Sequence, residues 1–302
     1  MSYNSNIAKR TQEAKDDLAK KLILEQYLIK DLGPYYSKIK ASAYLLYLTR
    51  NQVLDVSIFK TELKDILAKH YRRVSRVFGN LSERQLAQIV KDDAYTREIN
   101  SYIAQRSQQQ ANYINKTDQN KLNDAFKAAL VLWFLSGSRT PNSTVTVAPR
   151  SSLPQGTETH PVSGQSVSPQ AGEGINSENL QIVHSHDILK SVSKSGIENF
   201  DAQLDSRKET IATTETQNSA ETTKYLALAA YLLRQGLVAN KQWITMHDDR
   251  VRPWHVDAEG QVKKDKQPFI VNGEELMYPG DTELGASLNN VINCRCSVHY
   301  YW

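Results

Sequence analysis

From Leu135 through Asn199 the chain contains no Phe, Tyr or Trp, and five of its nine prolines (Pro141, Pro149, Pro154, Pro161 and Pro169) fall between Ser136 and Ser177. A tract built from Ser, Thr, Gln, Gly and Pro cannot bury enough apolar surface to offset the entropy of ordering it, so residues 136–177 predict a flexible linker. That tract organises the rest. A chain of 302 residues then divides into two folded pieces, residues 1–135 and residues 178–302.

The first piece reads as helix nearly throughout. Its clearest segment starts at Asp55, an N-cap, and sets Val56, Phe59, Leu63, Ile66, Leu67, Tyr71, Val74 and Phe78 at three- and four-residue intervals before Gly79 and Asn80 stop it. Gly33 and Pro34 predict a break in the preceding run. Ser82 and Asp118 predict the caps of two further helices, the last of them the most buried through Phe126, Leu130, Trp133 and Phe134. About four or five packed helices satisfy these stripes.

Helical periodicity returns at Asn179, is expected to break near Gly196, and runs from Asn199 to Arg234 until Gly236 ends it. Beyond that point Gln242–Thr245, Phe269–Val271 and Cys296–Trp302 read as short strands of a small sheet with long loops. The expected class is α+β: an all-α N-terminal domain, a Ser/Pro-rich linker, and a C-terminal domain of helix plus small β-sheet.

Charge is unevenly placed. Residues 1–135 hold 22 Lys+Arg against 14 Asp+Glu, a surplus of +8, and the remainder holds 15 against 19, or −4. The basic half suits either a solvated helical face or contact with nucleic acid or an acidic surface. No apolar run approaches the ~20 residues that cross a bilayer, so no membrane partner is expected. With two cysteines and no leader-like apolar segment after a polar N-terminus, a reducing cytosol is the expected site of synthesis. Neither a G-x-x-x-x-G-K phosphate loop nor a G-x-G-x-x-G fingerprint occurs.

Both cysteines, Cys294 and Cys296, lie two positions apart near the end of the chain, a spacing that turns both side chains to one face of a strand. An earlier loop supplies His255 and Asp248. Two thiolates, one imidazole and one carboxylate form a tetrahedral zinc complement, and a metal suits a small sheet with few apolar residues. The same residues admit two other readings. One is a pair of buried reduced thiols beside a hydrogen-bonded histidine. The other is a cysteine nucleophile with His255 as base and Asp248 orienting it, against which stands the lack of a glycine-rich turn before either thiol. Arg252 and Arg295 read as loop braces on Asp248, Asp249 or Asp281. His184 and His186 flank Ser185 without a third ligand, and His70 reads as a partly buried core histidine.

The unbroken run from Lys241 through Trp243, Asp248, Asp249 and Arg252 to His255 is followed by Gly260, Phe269, the turn Tyr278-Pro279-Gly280-Asp281, and Asn293-Cys294-Arg295-Cys296. In order, offset and chemistry this resembles the phage Mu F-type minor head protein family, also called the phage head morphogenesis family, over residues from about 205 to 299. Thr213, Thr214, Glu215, Thr216, Gln217, Asn218 and Ala220 stand where members often carry an Arg-Thr-Glu-Thr run, with Thr213 in place of the arginine.

The resemblance implies a structural virion component of a tailed bacteriophage rather than an enzyme. It implies a low-copy protein of the phage head at the portal vertex, present in the host cytoplasm during assembly and needed for head morphogenesis and genome packaging or delivery. Its expected partners are the portal and capsid proteins, with packaged double-stranded DNA touched through phosphates without sequence preference. The alternative is a hydrolase or nuclease delivered with the genome, using His255, Asp248 and a cysteine or bound metal. A structural site closes its metal with four protein ligands, whereas a catalytic one keeps a position open to water.

Overall fold

The computed structural model describes residues 3–79, 93–135 and 177–301, with side chains from residue 9 onward and, in the third stretch, from residue 186. The linker expected over 136–177 falls, but for Ser177, outside the described residues, as does the cap expected at Ser82. The chain is α+β, mostly helical with small antiparallel sheets at its C-terminal end.

Five long helices come first: α1 (Tyr3–Arg50), α2 (Lys60–Phe78), α3 (Asp93–Leu135), α4 (Ser177–Asp201) and α5 (Leu204–Gln235). Asp55 caps the short 3-10 turn Val56–Phe59 that leads into α2, accepting a hydrogen bond from the Ser57 N–H at 2.9 Å. At the far end of α5, Gly236 adopts a left-handed φ of 62°, which a residue without Cβ does at no steric cost.

Three expected helix boundaries are instead helix interiors. Pro34 lies within α1 with its ring exposed, while Tyr35, Tyr36 and Leu32 beside it are buried, and that packing outweighs the one backbone hydrogen bond a proline removes. Asp118 sits in the middle of α3, where its buried carboxylate accepts from the Tyr36 hydroxyl at 3.0 Å and from the Arg207 guanidinium. Gly196 continues α4: a Cβ there would stand 2.9 Å from the Phe126 ring, so this glycine allows close approach of two helices and ends nothing.

Buried side chains from all five helices form one cluster, among them Leu28, Leu32, Tyr71, Phe126, Phe200, Leu204 and Ile211. The compositional boundary at residue 178 is therefore not a boundary of the core, because α4 and α5 complete the bundle begun by α1–α3.

Beyond α5 come β1 (Asn240–Ile244), α6 (Pro253–Asp257), β2 (Val262–Lys264), β3 (Phe269–Val271), β4 (Glu274–Leu276), α7 (Leu288–Val291) and β5 (Ser297–Tyr301). Strand β1 is central to an antiparallel sheet of order β2-β1-β5, with Trp243 opposite Val298 and Ile244 opposite Ser297. Strands β3 and β4 make a separate hairpin whose turn, Asn272-Gly273, has φ of 50° and 76°, the left-handed pair that a tight two-residue connection requires. Trp243, Phe269, Val271, Leu276 and Val298 pack with both cysteines into a second, smaller core.

Between the two cores runs the middle of α5. Every residue from Thr214 to Lys224 is buried, and all but Ala220 are polar or charged. Toward the bundle, Glu215 accepts from Tyr71 at 2.7 Å and pairs with Arg106 at 3.1 Å, Thr216 meets His70 at 2.9 Å, and Tyr102 donates to Asn218 at 2.8 Å. Toward the small sheet, Gln217 donates to the Cys296 carbonyl at 2.7 Å and Asn218 to the Gly280 carbonyl at 2.6 Å. Glu221 joins Lys21 and Lys224, each at 2.7 Å, and Lys224 also reaches Ser297 at 2.8 Å. Burial alone would lower the Lys224 ammonium, but Glu221 and Asp17 outweigh it and raise its pKa.

Candidate metal centre

His255 enters the centre from α6, a single helical turn opened by Pro253, whose ring suits the first helical position. Cys294 and Cys296 arrive on the extended stretch between α7 and β5, after Asn293 turns the chain with a φ of 55° and its N–H is held by Thr214 Oγ at 3.1 Å. All three side chains are buried, and their ligand atoms lie within 4.8 Å of one another. His255 Nδ1 stands 3.7 Å from Cys294 Sγ and 3.5 Å from Cys296 Sγ.

Those spacings bear on whether the residues fit an ion. Zn–S and Zn–N bonds of about 2.3 and 2.05 Å at a tetrahedral angle put sulfur and nitrogen roughly 3.6 Å apart. The two N–S separations bracket that value, so the imidazole stands at a metal-sharing distance from both thiols. The thiols are already divided in character. The hydrogen bond from Cys296 holds the Cys294 thiol well below its ordinary pKa, against burial and with help from His255, while Cys296 is pushed well above by Cys294 and by burial.

The surroundings are tight and sparing in polar partners. The Trp243 indole packs edge-on against His255 at 5.5 Å and against Phe269 at 5.4 Å. His255 Nε2 is buried without a hydrogen-bond partner among the described residues, and the Trp243 indole faces the Cys296 thiol, whose pKa it helps to lower against burial. Nδ1 is the ring atom directed at the thiols, and among the described residues no carboxylate or carbonyl braces the far side of the imidazole.

Asp248, expected as the fourth ligand, is placed elsewhere. Both of its oxygens accept from Arg295 Nη2 at 2.8 Å on the exposed side of the loop, and it is not in the His255–Cys294–Cys296 group. The guanidinium carried between the two cysteines holds the carboxylate instead. Among the described residues that group contains three donors.

The remaining residues of the pattern serve the loops. Arg252 donates to the Ile292 carbonyl, tying the histidine loop to the cysteine loop, and Asp249 is exposed. Gly260, with φ of 75°, donates to the Trp243 carbonyl as the chain returns toward β2. Pro279 and Gly280 lay a turn against α5: Gln217 reaches the Pro279 carbonyl at 3.4 Å, and a Cβ on Gly280 would stand 3.3 Å from Gln217 Cγ. Asp281 closes that turn by accepting from the Met277 and Glu283 N–H groups, each at 2.8 Å. Residue pattern did not single out Asn290, which accepts from Trp254 Nε1 at 2.7 Å and donates to Glu274 at 2.6 Å. Gln217 and Asn218, which fasten this module to the helices, directly follow the Thr214-Glu215-Thr216 run, and their polarity in mid-helix was the available signal.

Of the other histidines, His70 is fully buried, His186 is exposed, and the His184 side chain lies outside the described residues. No helix among the described residues is long and apolar enough to cross a membrane. Comparisons with protein-family models, with curated proteins and with solved structures find no match.

Proposed function

We propose that the chain is a minor head protein of a tailed bacteriophage, acting at the portal vertex, in which a zinc ion clamps the C-terminal module. The observation that carries a structural reading is enclosure: His255, Cys294 and Cys296 are 1 %, 2 % and 3 % exposed. The clefts beside Arg106, beside Leu232 and beside Arg295 are each lined by other side chains. A metal so enclosed supplies folding free energy where a thin core does not. The head assignment itself rests on the likeness of residues 205–299 to the head morphogenesis family. In this reading the helical bundle docks to the portal or inner capsid, and its positive surplus faces DNA phosphates.

Elemental analysis of the purified chain tests the clamp, with one zinc per chain expected and two thiols becoming reactive on chelation. Mass spectrometry of purified phage heads tests the location. A metal-free chain with both thiols buried and a stable module would overturn the first, and absence from heads the second.

One observation favours the hydrolase or nuclease alternative. With Asp248 held by Arg295, three protein donors leave a fourth position of the kind that catalytic zinc sites give to water. Under that reading, His255→Ala leaves a folded chain that loses a DNA- or peptide-cleaving activity of the zinc-loaded wild type. Under the structural reading the same substitution unfolds the module.

A further inference from the structure

The two loops that converge on the thiols and the imidazole also bring arginines to one place. Arg252 precedes His255, Arg295 lies between Cys294 and Cys296, and both line a cleft of about 390 Å³ together with Arg250. The facing wall is α5, where Ser206, Thr210 and Thr213 fall on one helical stripe. We propose that this cleft is a binding site for a phosphate group.

The charges around the cleft favour an anion. Arg295 is fixed by Asp248 at 2.8 Å, and Arg252 is fixed by the Ile292 carbonyl, so both guanidiniums are held in place with donors to spare. The Arg250 side chain is exposed, and no described residue forms a hydrogen bond or ion pair with it. Three acids are near. Asp248 is engaged by Arg295, and Glu25 accepts from Thr213 at 3.1 Å with its carboxyl raised above the ordinary value, first by burial. Glu25 also feels Arg295 and Arg250 from behind the cleft, and Glu209, which is exposed, is the one carboxylate among the residues that line it. Guanidinium forks match the oxygens of a phosphate, and anchoring them beforehand lowers the ordering cost of binding. The exposed Asn293 amide adds a neutral donor at the same rim.

This site stands on its own side chains and does not require the head assignment. The phosphate could belong to free phosphate or to a phosphodiester of nucleic acid, and two probes separate these.

With the full chain at low ionic strength, titration with inorganic phosphate followed by calorimetry should show saturable binding. Arg250→Glu should weaken it about tenfold or more, the scale of one lost charge-assisted contact, at unchanged metal content and melting temperature. Lys127→Glu, an exposed reversal on α3 that lines no part of the cleft, should leave it within about twofold. A short DNA duplex followed by fluorescence anisotropy gives the source. Duplex binding that phosphate competes away and Arg250→Glu loses identifies the phosphodiester, and a duplex indifferent to Arg250 identifies free phosphate. No saturable phosphate binding, indifference of that binding to Arg250→Glu, or an equal loss in Lys127→Glu overturns the proposal.

Discussion

The helical bundle and the C-terminal module are held together by different physics. In the bundle, Leu28, Leu32, Tyr35, Ile39, Leu63 and Leu67 are all fully buried, and the driving force is removal of apolar surface from water. In the module, strands β2, β3 and β4 have three residues each, and the interior holds two thiols, an imidazole and an indole. Depth of burial is similar in both. What differs is the chemistry inside: apolar packing is indifferent to protons and chelators, whereas the polar helix carries buried charges and the module a buried group that could hold a metal ion.

The sharpest way to break this contrast is to remove the metal ligands. Cys294→Ser with Cys296→Ser, or a strong chelator, should unfold the module by forfeiting on the order of 10 kcal/mol of ion-binding free energy. Hydrogen exchange should then show β1 and β5 losing protection while α1–α3 keep theirs; a simultaneous loss would erase the distinction. Next in size is the buried ionic cluster. Glu221→Ala strands Lys21 and Lys224 without their shared partner and should cost about 3–5 kcal/mol in urea unfolding, with Glu221→Gln milder.

A proton should probe the boundary between the regions at His70. Burial above all, with Arg73 assisting, pushes its folded pKa down to about 3 from an ordinary 6.5. The stability tied to the neutral ring is therefore complete above 6.5 and is lost as pH falls from there toward 3, at about 1.4 kcal/mol per unit. Urea midpoints taken between those limits should slope for the wild type and flatten for His70→Gln. The smallest effect belongs to the bundle: Gly196→Ala pushes a methyl against Phe126 and should cost about 1–3 kcal/mol by overpacking, with the metal content of the module unchanged.

Features whose causes are local could be read from the residues alone. The Asp55 cap, the Gly236 terminus and strand Phe269–Val271 fall where their neighbours place them, and the Cys-x-Cys spacing does bring both thiols to one histidine. The Asn272-Gly273 turn carried an equally local signal that periodicity alone passed over. Features set by distant partners could not be read. Pro34 stays helical because Tyr35 and Tyr36 are buried, and Asp118 is interior because Tyr36 and Arg207 come to it. Asp248 had the right chemistry for a ligand, but nothing in its neighbourhood announced that Arg295 would take both oxygens. Hardest of all was α5, whose polar middle reads like a wetted surface. Its partners are scattered from Asp17 to Ser297, so only the assembled chain reveals that it has no wet side.

An ordinary amphipathic helix can drift in sequence along its outward face for as long as its inward one is kept. The stretch from Thr214 to Lys224 has no outward face, so a change at Glu215 must be answered at Arg106 or Tyr71, and one at Gln217 in the loop that bears Cys296. Over evolutionary time the bundle and the module are thus bound to a common tempo, each able to vary only as fast as this shared helix permits.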